Sequence, residues 1–160
     1  MKVAAWNLKF ASPGGKFFPE ILKRVDAYDP DIGVYSEVAL KGVPEGNPIF
    51  GHDHWGYTSK AEHRKVCIVS KESWSSVSVA RLERPLQGRF LTGDTRLGDK
   101  NVRVIAICIP WSACHVRNGA RDSARWQEHK AFIRSLPAEL DRLCKPDLPV
   151  ILAGDFNQTF

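Results

Sequence analysis

The chain has 160 residues, 43% of them hydrophobic and 26% charged, with a formal net charge of +5. That balance is typical of one soluble globular domain, long enough to bury a core and too short for two ordinary domains. No apolar run approaches the ~20 residues that cross a bilayer, and none of the four cysteines stands in a C-x-x-C pair, which excludes a zinc knuckle or dithiol redox motif.

Met1-Lys2-Val3-Ala4-Ala5-Trp6 reads as the start of a strand, not as a charged-then-apolar leader, so the expectation is a cytoplasmic protein without a signal peptide. Cys67 and Cys108, inside apolar runs, read as buried small hydrophobes and suit a reducing compartment. Val3 to Leu8 forms the first strand. Phe18, Ile21, Leu22 and Val25 recur at i, i+3, i+4 and i+7, one face of a helix, with Pro19 in its first turn. Asp29-Pro30 ends that helix, because the residue before a proline is pushed out of helical geometry. Ile32 to Ser36 is a second strand.

The middle is richer in strands. Lys65 to Ser70 is a short apolar run, and Ser76 to Leu82 alternates as a half-buried strand does. Phe90 to Leu97 and Val102 to Ile109 flank Gly98-Asp99-Lys100-Asn101, a hairpin turn. A helical segment follows from about Arg121 to Leu143, with a stripe of Trp126, Ile133, Leu136, Leu140 and Leu143, and Pro137 is expected to kink or split it. Val150 to Ala153 is a last apolar strand, leading into Gly154-Asp155-Phe156-Asn157. Strand-helix-strand units mixed with an antiparallel run predict an α/β (α+β) sandwich with helices outside the sheets.

Polar ligands gather at the carboxyl ends of strands in such folds. Asn7, Glu37, Asp155 and Asn157 all stand where an apolar strand ends. A carboxylate there can bind a hard cation or accept a proton from water. An amide can hold water or a phosphate oxygen without adding charge. Each also has a plainer reading: Gly-Asp-Phe-Asn as a turn, Glu37 as a solvated strand end, and Asn7 as a cap.

Together, Trp6-Asn7, then Asp29-Pro30-Asp31-Ile32 with Glu37, and the distant Leu152-Ala153-Gly154-Asp155-Phe156-Asn157 resemble the endonuclease/exonuclease/phosphatase (DNase I-like) superfamily. The resemblance runs from Val3 to Asn157 in the right order. It implies a four-layer α/β/β/α sandwich over residues 1–160 and a metal-dependent phosphoesterase. Its cofactor would be Mg2+, with Mn2+ as a substitute. It implies that Glu37 is the main metal ligand with Asn7 beside it, that Asp155 orients or deprotonates the attacking water, and that Asn157 positions that water or a phosphate oxygen. His115 and Trp111 are candidates for substrate contact after the strand that ends near Pro110. Lys9 stands where many relatives have Asp, and Ser36 where Gln is frequent. The family's late Asp-His pair has no counterpart before Phe160, so the expectation is a chain truncated after the Gly-Asp-Phe-Asn motif.

The expected substrate is nucleic acid, given the positive charge. A lipid or inositol phosphate phosphoesterase and a non-catalytic binding module on the same fold remain alternatives. No membrane span and no obligate protein partner are expected. His52-Asp53-His54 reads as a polar loop, and Arg117, Arg121 and Arg125 as a solvated helix face.

Overall fold

The computed structural model describes residues 2–55, 60–78, 87–114, 124–144 and 146–158. The first strand, β1, covers Val3–Asn7, helix α1 Phe18–Tyr28 and β2 Ile32–Ala39. A turn of 3-10 helix at Leu40–Gly42 leads to β3, Asn47–Phe50, and β4, His63–Ser70. Then come β5 at Ser76–Ser78, β6 at Phe90–Leu97, β7 at Lys100–Cys108, α2 at Gln127–Leu143 and β8 at Val150–Asp155.

These strands make two four-stranded sheets, ordered β1-β2-β4-β3 and β5-β6-β7-β8. The pairs β1/β2 and β7/β8 are parallel and the others antiparallel. Strand alternation sorts side chains to two faces. Val34, Val66 and Ile68 of the first sheet meet Leu91, Val104 and Ala106 of the second between the sheets. The intervening residues point outward: Tyr35, Cys67 and Val69 pack on Val25 of α1, and Ile105 and Ile107 pack on Phe132 and Leu143 of α2. The layers are therefore helix, sheet, sheet, helix. Phe132 is wholly buried, and burial of a side chain of that size stabilises the fold by about 3 kcal/mol.

Two expectations change in detail. Helix α2 begins at Gln127 and runs through Pro137 as one element. The Ser135 hydroxyl in the turn before the proline donates to the Ala131 and Phe132 carbonyls. The buried stripe of α2 contains His129, Phe132 and Leu143 with Leu136 and Leu140, whereas Ile133 is exposed. Leu136, Leu140 and Leu143 face the core as expected, while Phe132, the larger apolar side chain, takes the place expected of Ile133, and Trp126 precedes the helix. Strand β5 is described only to Ser78, and the remainder of the expected Ser76–Leu82 strand lies outside the described residues, as do Arg117 and Arg121. Helix α1 ends as its sequence dictates: Asp29 turns to φ 50°, and its N–H closes the helix on the Val25 carbonyl. None of the described helices is long and apolar enough to cross a membrane.

Candidate active site

Parallel pairing aligns strand exits. Asn7, at the end of β1, pairs with Ser36, one residue before Glu37. Asp155, at the end of β8, pairs with Cys108, the last residue of β7. The two sheets meet through these ends: the Asn7 amide nitrogen donates to Asp155 Oδ2 at 2.8 Å across 148 residues of sequence. Asn7 Oδ1 accepts from the Lys9 backbone N–H at 2.8 Å, which fixes which way the amide faces.

Asp155 is held from both sides. Its other oxygen, Oδ1, accepts the Asn157 N–H at 3.0 Å, and the Asn157 amide donates to the Ile109 carbonyl at 2.8 Å. Asn157 adopts φ 47°, a left-handed conformation that Asn tolerates better than most residues. Gly154 has a harder requirement. Its φ is 140°, and a Cβ there would lie 1.9 Å from the Ile107 carbonyl oxygen. Only glycine lets β8 run this close to β7 as it delivers Asp155.

Glu37 also has a positive φ, 52°. For such a residue this conformation costs on the order of 1 kcal/mol. It persists because the preceding and following bonds fix it: Leu8 N–H donates to the Ser36 carbonyl at 2.9 Å and Phe10 N–H to the Glu37 carbonyl at 2.5 Å. Glu37 Oε1 receives the Lys65 ammonium at 2.7 Å, and Glu37 Oε2 has no hydrogen-bond partner among the described residues.

Beneath these groups the Cys108 thiol is buried. Burial pushes its pKa up to about 11, while Arg89 and Lys65 pull it down and Asp155 and Glu37 push it up. Arg89, itself buried, donates to the Cys108 carbonyl at 3.3 Å and to Cys114 Sγ at 3.5 Å. His129 braces the loop after β7. Its Nδ1 lies 2.8 Å from the Pro110 carbonyl, so Nδ1 carries the proton and Nε2 accepts from the Gln158 amide at 3.3 Å.

Of the residues singled out from sequence, Asn7, Glu37, Asp155 and Asn157 converge on one end of the sandwich. Trp111 stands three residues past Cys108 and is 53% exposed. His115 lies outside the described residues. Sequence reasoning missed Lys65, Arg89 and His129. A lysine and an arginine at the mouths of apolar strands were the available signal, but a cation there reads equally as a solvated strand end.

The donor set is all oxygen, which suits Mg2+, an ion usually held by one or two carboxylates together with waters and substrate phosphates. Among the described residues no three His, Cys, Asp or Glu side chains are gathered as a preformed cage. Glu37, Asp155 and the Asn7 amide fit a cation of that kind, and do not fit a transition metal that needs nitrogen or sulfur ligands.

A helix-sheet-sheet-helix sandwich with carboxylates and amides at the joined strand ends defines the class as a DNase I-like α/β/β/α protein. The sequence matches the Endonuclease/Exonuclease/phosphatase family over residues 4–159, and the chain belongs to that family, whose members are hydrolases acting on phosphate esters. No curated protein matches it. Solved structures similar to it include an endonuclease/exonuclease/phosphatase from Beutenbergia cavernae (19% identity, TM-score 0.65, 98% of this chain and 47% of that one). A mannosyl-6-phosphatase from Bacteroides thetaiotaomicron is also similar (20% identity, TM-score 0.61, 98% and 65%). So is D. rerio TDP2 complexed with a single-strand DNA product (14% identity, TM-score 0.68, 100% and 62%). The chain therefore spans between about half and just under two thirds of these structures' lengths.

Proposed function

We propose that this chain carries the cation-binding and water-activating part of a phosphoesterase site that hydrolyses phosphodiester bonds of nucleic acid. The observation that carries the reading is the 2.8 Å bond from Asn7 to Asp155, which ties the two sheets together at their strand exits beside Glu37. Similarity to a mannosyl-6-phosphatase and to a protein bound to a DNA product supports phosphate esters as the substrate class. The net charge of +5 favours the polyanionic member of that class.

Glu37, whose Oε2 has no hydrogen-bond partner among the described residues, would be the principal ligand of a bound Mg2+, assisted by the Asn7 oxygen. When bound, that ion neutralises charge growing on the phosphoryl oxygens. Asp155 does the proton chemistry. Its carboxylate, oriented by Asn7 and the Asn157 N–H, accepts a hydrogen bond from the attacking water and takes its proton as the new phosphorus–oxygen bond forms and the bond to the leaving ester oxygen breaks, that oxygen departing as an alcohol with a proton from solvent. Asn157 keeps the loop after β7 tied to the catalytic turn through Ile109. Trp111, exposed beside this mouth, would offer an aromatic face to the substrate.

The direct test is hydrolysis of a fluorescent oligonucleotide in Mg2+ by the wild type and the isosteric variants Glu37→Gln and Asp155→Asn. Each variant should lose at least ~10³-fold in rate, the size of effect seen when a charge-stabilising group is removed. Equal rates in the wild type and both variants would defeat the assignment.

A further inference from the structure

The Lys65 ammonium sits in an unusual place for a strand lysine. Lys65 lies opposite Glu37 across β2 and β4, between the register pairs Ser36–Val66 and Val38–Arg64. Its side chain is only 13% exposed. The nitrogen is 2.7 Å from Glu37 Oε1, 5.2 Å from the centre of the Phe10 ring and 5.8 Å from that of Trp55. Phe10 is in turn stacked on His63 at 4.3 Å and lies nearly parallel to Trp55. Two ring faces attract a cation without using up a hydrogen-bond acceptor. One ammonium proton is therefore committed to a carboxylate, and no other hydrogen bond holds the nitrogen among the described residues.

Charge makes the position consequential. The groups around Cys108 are two carboxylates, Glu37 and Asp155, and two cations, Lys65 and Arg89. Arg89 is buried and bonded to a backbone carbonyl and to sulfur, so it is fixed. Lys65, on a flexible stem and held by a single hydrogen bond among the described residues, is the one of the two cations able to withdraw. While it remains on Glu37 that carboxylate is already neutralised, and a divalent ion gains less by entering.

Resting on the phosphoesterase reading above, we propose that Lys65 is a resident cation that occupies the Glu37 carboxylate in the ion-free protein and transfers to the phosphate oxygens of the ester when the site is loaded. Lys65 then sets the affinity for the divalent ion and couples it to substrate. Glu37 is released to a stronger cation only when a phosphate anion is present to receive the ammonium.

The test is Mn2+ binding followed by electron paramagnetic resonance of the free ion, with and without inorganic phosphate. Lys65→Met should bind Mn2+ at least about tenfold more tightly than the wild type, the effect of removing one positive charge some 5 Å from a divalent ion under screening close to that of bulk water. Lys65→Gln provides a second neutral variant in case Met alters folding, with thermal melting as the check. Lys65→Arg, which keeps the charge, should stay within about twofold of wild type, as expected for an electrostatic effect. With Mn2+ saturating, phosphate should bind the neutral variants about tenfold more weakly. Unchanged Mn2+ affinity in both neutral variants overturns the proposal, and unchanged phosphate affinity overturns the transfer. Failure of the underlying reading looks different: Glu37→Gln would then also bind Mn2+ like the wild type.

Discussion

Two partly buried ion pairs lie at opposite ends of the same sandwich, and they differ in how completely their donors are used. At the entry to β8, Arg103 grips both oxygens of Asp94 at 2.6 Å each, and its third nitrogen donates to the Leu143 carbonyl at the end of α2. Each of that guanidinium's three nitrogens is engaged, and the pair binds the β6–β7 hairpin to the helix. At the exit, some 15 Å away along the strand, Lys65 engages one oxygen of Glu37 and, among the described residues, nothing bonds the other. The contrast teaches that a saturated pair acts as structure, whereas a pair with spare valence is available for binding.

The comparison can be broken at either end. Loss of hydrolysis in Glu37→Gln, at least ~10³-fold or about 4 kcal/mol of transition-state stabilisation, should come with little change in melting temperature, because the variant removes charge and keeps shape. A second large effect belongs to the backbone at the same end. Gly154→Ala would force a methyl group into the Ile107 carbonyl and should destabilise the protein by on the order of 4 kcal/mol in urea titration. A variant that melts like the wild type would show that β8 can move away from β7.

At the structural end the signs reverse. Asp94→Ala strands a buried guanidinium and should cost about 3 kcal/mol of stability, read as a lower urea midpoint. Whatever remains folded should keep its Mn2+ affinity. If Asp94→Ala changed ion binding as much as Glu37→Gln does, the division between the two ends would not hold.

The smallest effect is alkaline. Burial raises the Cys108 thiol from 9.0 to about 11, raises Cys67 further, and lifts Tyr35 from 10.0 to about 12. Between pH 9 and 11 the unfolded chain releases thiol protons that the folded chain retains. Stability therefore falls as pH rises through that window, by about 1.4 kcal/mol per pH unit for each thiol. Urea midpoints at pH 8 and pH 10 check it, and Cys108→Ala should remove part of the slope.

Much of this was legible beforehand because strand ends announce themselves. The runs closing on Asn7 and Asp155 alternate or are apolar throughout, and polar residues directly after them could only mark exits. Strand-helix-strand units beside an antiparallel hairpin pointed to an α/β sandwich with helices outside the sheets, and the four-layer order was what the family resemblance implied. What stayed hidden depends on pairing across distant segments. That Lys65 faces Glu37, and not solvent, is decided by the β2–β4 register, which one strand's sequence does not encode. The shift of the α2 stripe from Ile133 to Phe132 depends on which side chain best fills the space over Ile105 and Ile107. Pro137 shows the limit of a local rule: loss of one N–H did not end a helix anchored by packing on both sides of it.

The central claim is that residues from β1, β2 and β8 share one cation seat. Anomalous diffraction from crystals soaked in Mn2+ tests it most directly. The account predicts a peak at about 2.2 Å from Glu37 carboxylate oxygen, on the side facing Asn7 and Asp155, with the Lys65 ammonium displaced. A peak elsewhere, with Lys65 still on Glu37, would contradict it.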